Sequence, residues 1–315
     1  MKKSLDILTI GEGLIELSNT QSLAYADSFD KYFGGDTLTT AVAASRMGAS
    51  VGYISKIGND AFQDFLSGSW AAEGLDISGV KSVNGHNGIY FVAGNASGKK
   101  EFVYYRKKTA ATLLSAKDID EKAVQSSKIV YATGITQSLS LSAKEAVIEL
   151  FKLAKKNNVT VAFDPNFDSI LWSKEEAKEA FMEIEEYIDI LFLNLKSDSL
   201  NLWEIESCDK LIETILDKGV KIVVLKSKQN NGYYVANANE TVFTPFYSAI
   251  KVDSTGAGDA FNGAFLAEIA EDKSPFVAVK TAAVLSGLQV RSVGAIKSIP
   301  SKKEVLQALK DLYGQ

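Results

Sequence analysis

The sequence predicts an α/β fold: a doubly wound, mostly parallel sheet with helices on both faces, plus a small β-structured lid. Two observations carry this prediction. Short runs of β-branched and apolar residues alternate with stretches of helical periodicity, as expected for parallel strands joined by crossover helices. Two segments, residues 13–33 and 86–107, have no helical pattern and interrupt the alternation.

The main elements follow from residue spacing. Strands are predicted at residues 7–10, 51–57, 128–132, 159–163, 190–193 and 222–225. Helices are predicted at residues 38–47, 61–70, 143–155, 174–185 and 210–216. Ligands of such sheets bind beyond the carboxyl ends of the strands, so we expect the functional site at that edge.

The segments 13–33 and 86–107 are predicted to form one lid that rises from the main sheet, with a hairpin turn at residues 95–100. A lid of this kind would close over a substrate and exclude water. Its apolar strand residues, such as Ile89 and Phe91, predict a homodimer through the lid, because exposed sheet edges need covering. There is no linker or internal repeat, so the lid is expected to be an insertion in one domain spanning residues 1–315.

The composition indicates a globular protein without a nucleic-acid or membrane partner. Apolar residues make up 46% and charged residues 23%, and the net charge is −5 with no basic stripe. No uncharged run approaches membrane-spanning length. Cys208 is the only cysteine and His86 the only histidine, so an internal disulfide and a multi-histidine metal site are excluded. We expect a cytoplasmic protein.

The turn at residues 252–261, Val-Asp-Ser-Thr-Gly-Ala-Gly-Asp-Ala-Phe, is the strongest indication of chemistry. Gly256 and Gly258 leave room for an anion, and the apolar spacing after them predicts that the turn opens a buried helix. The amides of Gly256, Ala257 and Gly258, with the helix dipole, would hold a phosphoryl group. Asp259 would take the proton from a substrate hydroxyl. The alternative is a helix-start carboxylate that only interacts with the dipole.

A second glycine site and a tyrosine-rich strand pair are predicted to hold the substrate. Gly35 and Asp36 precede a predicted helix, and their amides and carboxylate suit a polyol, although a simple helix cap is the alternative. Strand alternation allows Tyr90, Tyr104 and Arg106 to share one face of the lid. Aromatic strand residues often serve only in packing, but a guanidinium on such a face suits a carboxylate or a phosphate.

These motifs resemble the signatures of the ribokinase-like, or PfkB, family of carbohydrate kinases. The segment 253–261 looks like the C-terminal signature of that family, and Gly34-Gly35 with Gly58-Asn59-Asp60 is similar to its N-terminal signature. The resemblance spans nearly the whole chain. Within the family, the segments 11–16, 34–37, 88–90 and 104–111 are most similar to 2-keto-3-deoxygluconate kinases.

The resemblance implies an ATP-dependent kinase acting on a primary hydroxyl of a sugar or sugar acid. The candidate acceptor is 2-keto-3-deoxygluconate. Mg²⁺ would be carried with the nucleotide, and whether a monovalent cation is also needed is left open. The resemblance adds Asn166 and Asp168 to the substrate residues. The residues that it places near the nucleotide are Asn194, Lys226, Ser227, Ala283 and Gly287.

Four positions depart from the family pattern. Thr39 stands where the subgroup usually has Asn, and Asp168 where it usually has Arg. The Asn-x-x-Glu element ends in Ser197, with Asp198 as a candidate replacement for the Glu, and residues 226–232 replace a glycine-rich turn. An acid at position 168 would repel an acidic sugar, so a fructokinase- or ribokinase-like kinase acting on a neutral sugar is an alternative. Two others are a nucleoside kinase and a non-catalytic sugar or nucleotide sensor.

Overall fold

A computed structural model describes residues 4–94 and 100–314 of the chain. Two β-sheets form its framework. Their strands, in chain order, are β1 (Leu5–Ile10), β2 (Leu14–Asn19), β3 (Asp30–Gly34), β4 (Val51–Gly58), β5 (Val80–Val83), β6 (Gly88–Gly94), β7 (Lys100–Tyr105), β8 (Ser127–Thr133), β9 (Thr160–Asp164), β10 (Ile190–Asn194), β11 (Ile222–Ser227), β12 (Gly232–Ala236) and β13 (Thr241–Pro245).

The main sheet has nine strands in the order β13-β12-β11-β10-β9-β8-β1-β4-β5. The strands from β11 to β5 are parallel, whereas β12 and β13 add an antiparallel edge. The predicted doubly wound, mostly parallel fold is confirmed. The sequence prediction missed β5, β12 and β13, which are short strands at the two edges of the sheet and lack a long apolar run.

Helices cover both faces of this sheet. They are α1 (Asp36–Arg46), α2 (Gln63–Ala72), α3 (Glu121–Gln125), α4 (Gly134–Ser138), α5 (Leu141–Lys156), α6 (Lys174–Met182), α7 (Cys208–Asp217), α8 (Ala257–Ala270), α9 (Pro275–Gln289) and α10 (Lys302–Tyr313). A π-helical segment spans Leu195–Trp203, and 3-10 turns span Ala110–Leu113, Ala116–Asp118 and Glu185–Tyr187. The helix predicted at 174–185 therefore ends at Met182.

Two hydrophobic cores lie on opposite faces of the main sheet, because successive strand residues point to opposite sides. On β1, Ile7 packs with α1, α2, α8 and α9, whereas Leu8 packs with α5 and α7. Helix α8 is buried on nearly all sides because it lies between α1 and α9. None of the helices in the described part of the chain is both long and apolar enough to cross a membrane.

The second sheet has four strands in the order β3-β2-β6-β7 and unites the two predicted lid segments. Strand β2 pairs in parallel with β6, and β3 and β7 pair antiparallel at the edges. This small sheet fits a lid. The hairpin turn predicted at 95–100 lies outside the described residues, except for Lys100.

The apolar residues used to predict a homodimer are not on an open face of the lid. Ile89 packs against the main core, and the Phe91 ring contacts Phe29 and Tyr105 at centroid distances of 5.3 and 5.9 Å. The exposed apolar side chains of β7 are instead Phe102, Val103, Tyr104 and Tyr105. A homodimer through the lid stays a prediction.

Candidate active site

A cavity of about 190 Å³ lies where the carboxyl end of the main sheet, the lid and the start of α8 meet. Its wall contains every residue predicted to hold the substrate except Asp168. The lining residues are Glu12, Leu14, Gly35, Asp36, Thr39, Tyr90, Tyr104, Arg106, Ile135, Asn166, Thr255, Gly256, Asp259 and Ala295.

The start of α8 presents free backbone donors. Gly256 has a φ of +71°, a left-handed conformation that glycine adopts without steric cost. The Ala257 amide donates to the carbonyl of Ser254 at 3.3 Å, so this one of the three predicted amides is already engaged. No group in residues 4–94 or 100–314 accepts from the amides of Gly256, Gly258 and Asp259. Unpaired amides at a helix start suit an anion.

Asp259 lies in the first turn of α8 and faces the cavity. The Nδ2 of Asn166 donates to its Oδ1 at 3.2 Å, and the Thr40 hydroxyl donates to its backbone carbonyl at 3.0 Å. Burial raises the pKa of Asp259 well above the usual range of aspartate; the charge of Asp36 raises it further, while that of Lys226 opposes the shift. A carboxylate with a raised pKa is a stronger base, which suits removal of a proton from a hydroxyl.

Arg106 forms a buried ion pair with Glu12, with 2.7 Å between Nη2 and Oε2. The Thr109 hydroxyl donates to the other Glu12 oxygen at 3.0 Å. Burial alone would lower the pKa of Arg106, but the charges of Glu12 and Asp36 outweigh burial and raise it. Burial raises the pKa of Glu12, and Arg106 and Thr109 partly counteract this rise. The charge of Arg106 is therefore sustained by close partners, whereas the pKa of Glu12 stays above its usual range because burial outweighs the effects of Arg106 and Thr109.

Two tyrosines form the lid side of the cavity. Tyr90 and Tyr104 are directly opposed on β6 and β7, and their rings stack at a centroid distance of 5.7 Å. The Tyr90 hydroxyl donates to Glu16. A side chain at position 34 would collide with that hydroxyl, so Gly34 is what allows the ring to lie there. The predicted common face of the tyrosines is present in the structure.

Gly35 and Asp36 begin α1 at the opposite wall. Gly35 has a φ of +136°, and a side chain there would strike the carbonyl oxygen of Glu12. Only glycine fits this close approach. The Asp36 carboxylate accepts a hydrogen bond from the Thr133 hydroxyl at the end of β8. Burial raises the pKa of Asp36.

Asp164, at the end of β9, connects the site to Lys226. Its Oδ2 accepts from Lys226 Nζ at 2.8 Å and from Asn262 Nδ2 at 2.7 Å, and its Oδ1 accepts from the Asn166 amide at 2.9 Å. A Cβ on Gly258 would lie 3.5 Å from Lys226 Nζ. This ammonium group therefore lies beside the free amides of α8.

Three residues at the positions that depart from the family pattern bind neighbouring protein groups. The Asp168 carboxylate accepts from the Ile170 amide at 2.9 Å and does not line the cavity, although its charge contributes to a raised pKa of Tyr104 that is due mainly to burial. The Thr39 hydroxyl donates to the Gly35 carbonyl at 2.7 Å, so its proton is already engaged at the start of α1. Asp198 binds the amides of Phe167 and Asn194, so both of its oxygens are occupied.

The other residues predicted near the nucleotide contact protein groups outside the cavity wall. The Asn194 amide donates to Asp198 at 2.6 Å, and the Ser227 hydroxyl donates to the Asn230 side chain at 2.6 Å. Ala283 is buried in the core, and Gly287 packs directly against Tyr247. Their roles toward a nucleotide stay predictions.

The donor set beside α8 fits a nucleoside triphosphate. The free amides of Gly258 and Asp259 and the ammonium of Lys226 supply directed donors and a positive charge, and Gly258 has no side chain to occupy the space between them. Within residues 4–94 and 100–314, no group of three or more His, Cys, Asp and Glu side chains is arranged to hold a metal ion.

Sequence reasoning missed the roles of Glu12 and of the lid residue Lys100. Lys100 forms an ion pair with Asp253, whose carboxylate also binds the amide and hydroxyl of Thr255 at 2.9 and 2.7 Å. It thereby joins β7 to the 252–261 turn. Glu12 lies between two glycines just after β1, at the carboxyl edge of the sheet, and that position is a detectable signal. No local signal links Lys100 to Asp253.

The sheet, the lid and the glycine-rich helix start define a ribokinase-like kinase. The chain belongs to the pfkB family carbohydrate kinases, which it matches over residues 4–302. It is 30% identical to a 2-dehydro-3-deoxygluconokinase of Thermoproteus tenax, with 98% of this chain and 95% of that one covered. It is 29% identical to a fructokinase-1 of Zea mays, with 96% and 97% covered.

A solved structure of a putative ribokinase II from E. coli, in complex with ATP and Mg²⁺, superimposes with a TM-score of 0.90 at 27% identity and covers 98% of this chain and 99% of that one. The predicted family and enzyme class, an ATP-dependent carbohydrate kinase, are confirmed. The relatives act on different acceptors by their names, so the acceptor follows only from this chain's own cavity.

Proposed function

We propose that this kinase transfers the γ-phosphoryl group of ATP to a primary hydroxyl of a sugar held in the 190 Å³ cavity, with Asp259 as the base. One observation carries the proposal. Asp259 has a raised pKa and faces the cavity from the same helix turn that supplies the free amides of Gly258 and Asp259 itself. Proton acceptor and anion donors thus belong to one helix turn that borders the cavity.

ATP supplies the phosphoryl group, and the chain supplies position and charge. Asp259 removes the proton of the substrate hydroxyl. The hydrogen bond from Asn166 holds the Asp259 carboxylate in place. The free amides and Lys226 stabilise the negative charge of the phosphoryl group during transfer, which is the main requirement of this reaction. Gly35, Asp36 and the tyrosine pair would bind the other sugar hydroxyls.

The second sheet would act as the lid. Its contact with the catalytic turn through Lys100 and Asp253 supports this role, because lid closure would then bring the tyrosines over the sugar and order the 252–261 turn together. Exclusion of water prevents hydrolysis of ATP in place of transfer.

The test is Asp259→Asn. Loss of the base should lower kcat by roughly 10²–10⁴-fold with nucleotide affinity kept. The melting temperature should not fall, because burial disfavours the charged form of Asp259 and the amide removes that penalty. Coupled ADP release, calorimetric ATP binding and thermal unfolding measure the three effects.

Asp209→Asn is the matched control. Asp209 also lies in the first turn of a helix, α7, but on the protein surface. If Asp259 served only the helix dipole, the two variants would behave alike. Near-wild-type turnover of D259N would contradict the proposal.

A further inference from the structure

We infer that Glu12 determines acceptor specificity: by holding Arg106 in an ion pair, it makes the cavity select an uncharged sugar over a sugar acid. This inference rests on the proposed function, since it concerns the acceptor of the same site. Taken alone, the guanidinium of Arg106 would favour the opposite choice.

The pair leaves Arg106 little charge to offer a ligand. The side chains of Arg106 and Glu12 are 12% and 1% exposed, and their charged atoms are 2.7 Å apart. The Thr109 hydroxyl fixes the second Glu12 oxygen. Below the guanidinium, the Tyr104 ring lies 5.8 Å from Cζ. An incoming carboxylate would have to compete with a partner that is already desolvated and in place.

Two lysines near the cavity are also paired with buried carboxylates. Lys226 is paired with Asp164 at 2.8 Å, and Lys100 is paired with Asp253. Within the described part of the chain, the cavity wall holds three carboxylates and a single cation, Arg106. Each of these three cations, Arg106, Lys226 and Lys100, thus has an acidic partner.

Two carboxylates of the wall, Asp36 and Asp259, form no ion pair with any of the described residues. A substrate carboxylate would lie close to both in a poorly solvated space, where like charges repel strongly. Hydroxyl groups instead can donate to these same oxygens. The chemistry of the wall therefore matches a neutral polyol. A sugar acid is rejected because Asp36 and Asp259 repel its carboxylate and because Arg106, paired with Glu12, does not attract it.

The first experiment uses two acceptors that differ only at one carbon. D-fructose and 2-keto-D-gluconate share their configuration and exchange a hydroxymethyl group for a carboxylate, and D-tagatose with 2-keto-D-galactonate gives a second pair. We expect the wild-type kcat/KM for the neutral member of a pair to exceed that for the acid by roughly tenfold or more. Preference for the acid member, or equal use of the two, would overturn the inference.

The second experiment replaces Glu12 by Gln, which keeps the shape of the side chain and frees the charge of Arg106. E12Q should shift the ratio of kcat/KM values toward the acid by roughly tenfold, mainly through KM. Glu16→Gln is the matched control, because Glu16 is a second buried acid, on strand β2 of the lid, that bonds Tyr90 and not Arg106. E16Q should leave the ratio unchanged.

Different results would refute the role of Glu12 and the kinase activity. An unchanged ratio in folded E12Q, or an equal shift in E16Q, would refute the role of the pair, with the kinase proposal intact. Absence of ADP release with every acceptor, while calorimetry still shows ATP binding, would refute the proposed function instead. In that case calorimetric binding of each acceptor pair to the wild type still decides whether the cavity selects the neutral member.

Discussion

The glycines of the 252–261 turn provide the sharpest test, because the structure predicts opposite consequences for two equal substitutions. Gly256→Ala places a side chain on a residue with φ +71°, with its Cβ 3.1 Å from Ala295 Cβ and 3.2 Å from Thr39 Cγ2. Gly258→Ala adds the same methyl group inside the first turn of α8, where the nearest atom is Lys226 Nζ at 3.5 Å. The first change strains the fold and the second does not.

The magnitudes follow from these contacts. For G256A, the left-handed conformation costs about 1–2 kcal/mol and the crowding about 1 kcal/mol, offset by about 0.4–1 kcal/mol from the stiffer unfolded chain. A net loss of roughly 1–3 kcal/mol remains. With 315 residues and about 2.1 cal/mol/K per residue, the unfolding entropy is about 0.66 kcal/mol/K, so the melting temperature should fall by about 2–5 °C.

G258A should behave in the reverse manner. Alanine is favoured over glycine in a helix by up to about 1 kcal/mol, so the melting temperature should stay level or rise slightly. Its methyl group nevertheless occupies the space between the free amides and Lys226, and kcat should fall by roughly 10²–10³-fold, as for loss of one anion-hole donor.

Thermal unfolding and coupled ADP release on both variants provide the assay. Full activity of G258A would refute the placement of the phosphoryl group at the start of α8. An unchanged melting temperature of G256A would refute the strain argument independently.

Two further predictions concern the buried charges behind the cavity. Lys226→Met leaves Asp164 unpaired at 0% exposure, which should cost about 3–5 kcal/mol and lower the melting temperature by about 5–8 °C; a melting temperature within a degree or so of wild type would contradict it. Burial, with the charge of Asp164, raises the pKa of Asp198 to about 7, above its unfolded value of about 3.9. The stabilising contribution of this carboxyl should therefore be lost as the pH rises from about 4 to 7, and urea unfolding of Asp198→Asn should depend less on pH across that range; equal slopes would refute the assignment.

The sequence predicts the parts of this fold that depend on local patterns. The central strands are apolar runs buried on both faces, and their alternation with helices predicts a doubly wound parallel sheet. Strand β12 has only five residues and the edge strand β13 is mostly exposed, so tertiary pairing rather than composition determines them. The start of α2 shows a smaller error: the Asp60 carboxylate accepts from the Phe62 amide at 2.9 Å and holds a turn there, so the helix begins at Gln63 rather than at residue 61.

At the site, the residue types were predictable and their partners were not. Arg106 on a tyrosine-rich strand favours an acidic ligand when it is considered alone, because a free guanidinium binds carboxylates. Its partner Glu12 lies in the loop between β1 and β2, far from Arg106 in sequence, and the two meet only when the lid folds over the end of β1. Lys226 and Lys100 gain their acids in the same non-local way. We therefore infer that charge recognition in this cavity depends on which cations remain unpaired after folding. No single local segment of the sequence shows this, because the partners come from distant segments. The E12Q variant separates the two views directly, since it changes only the partner and leaves the arginine in place.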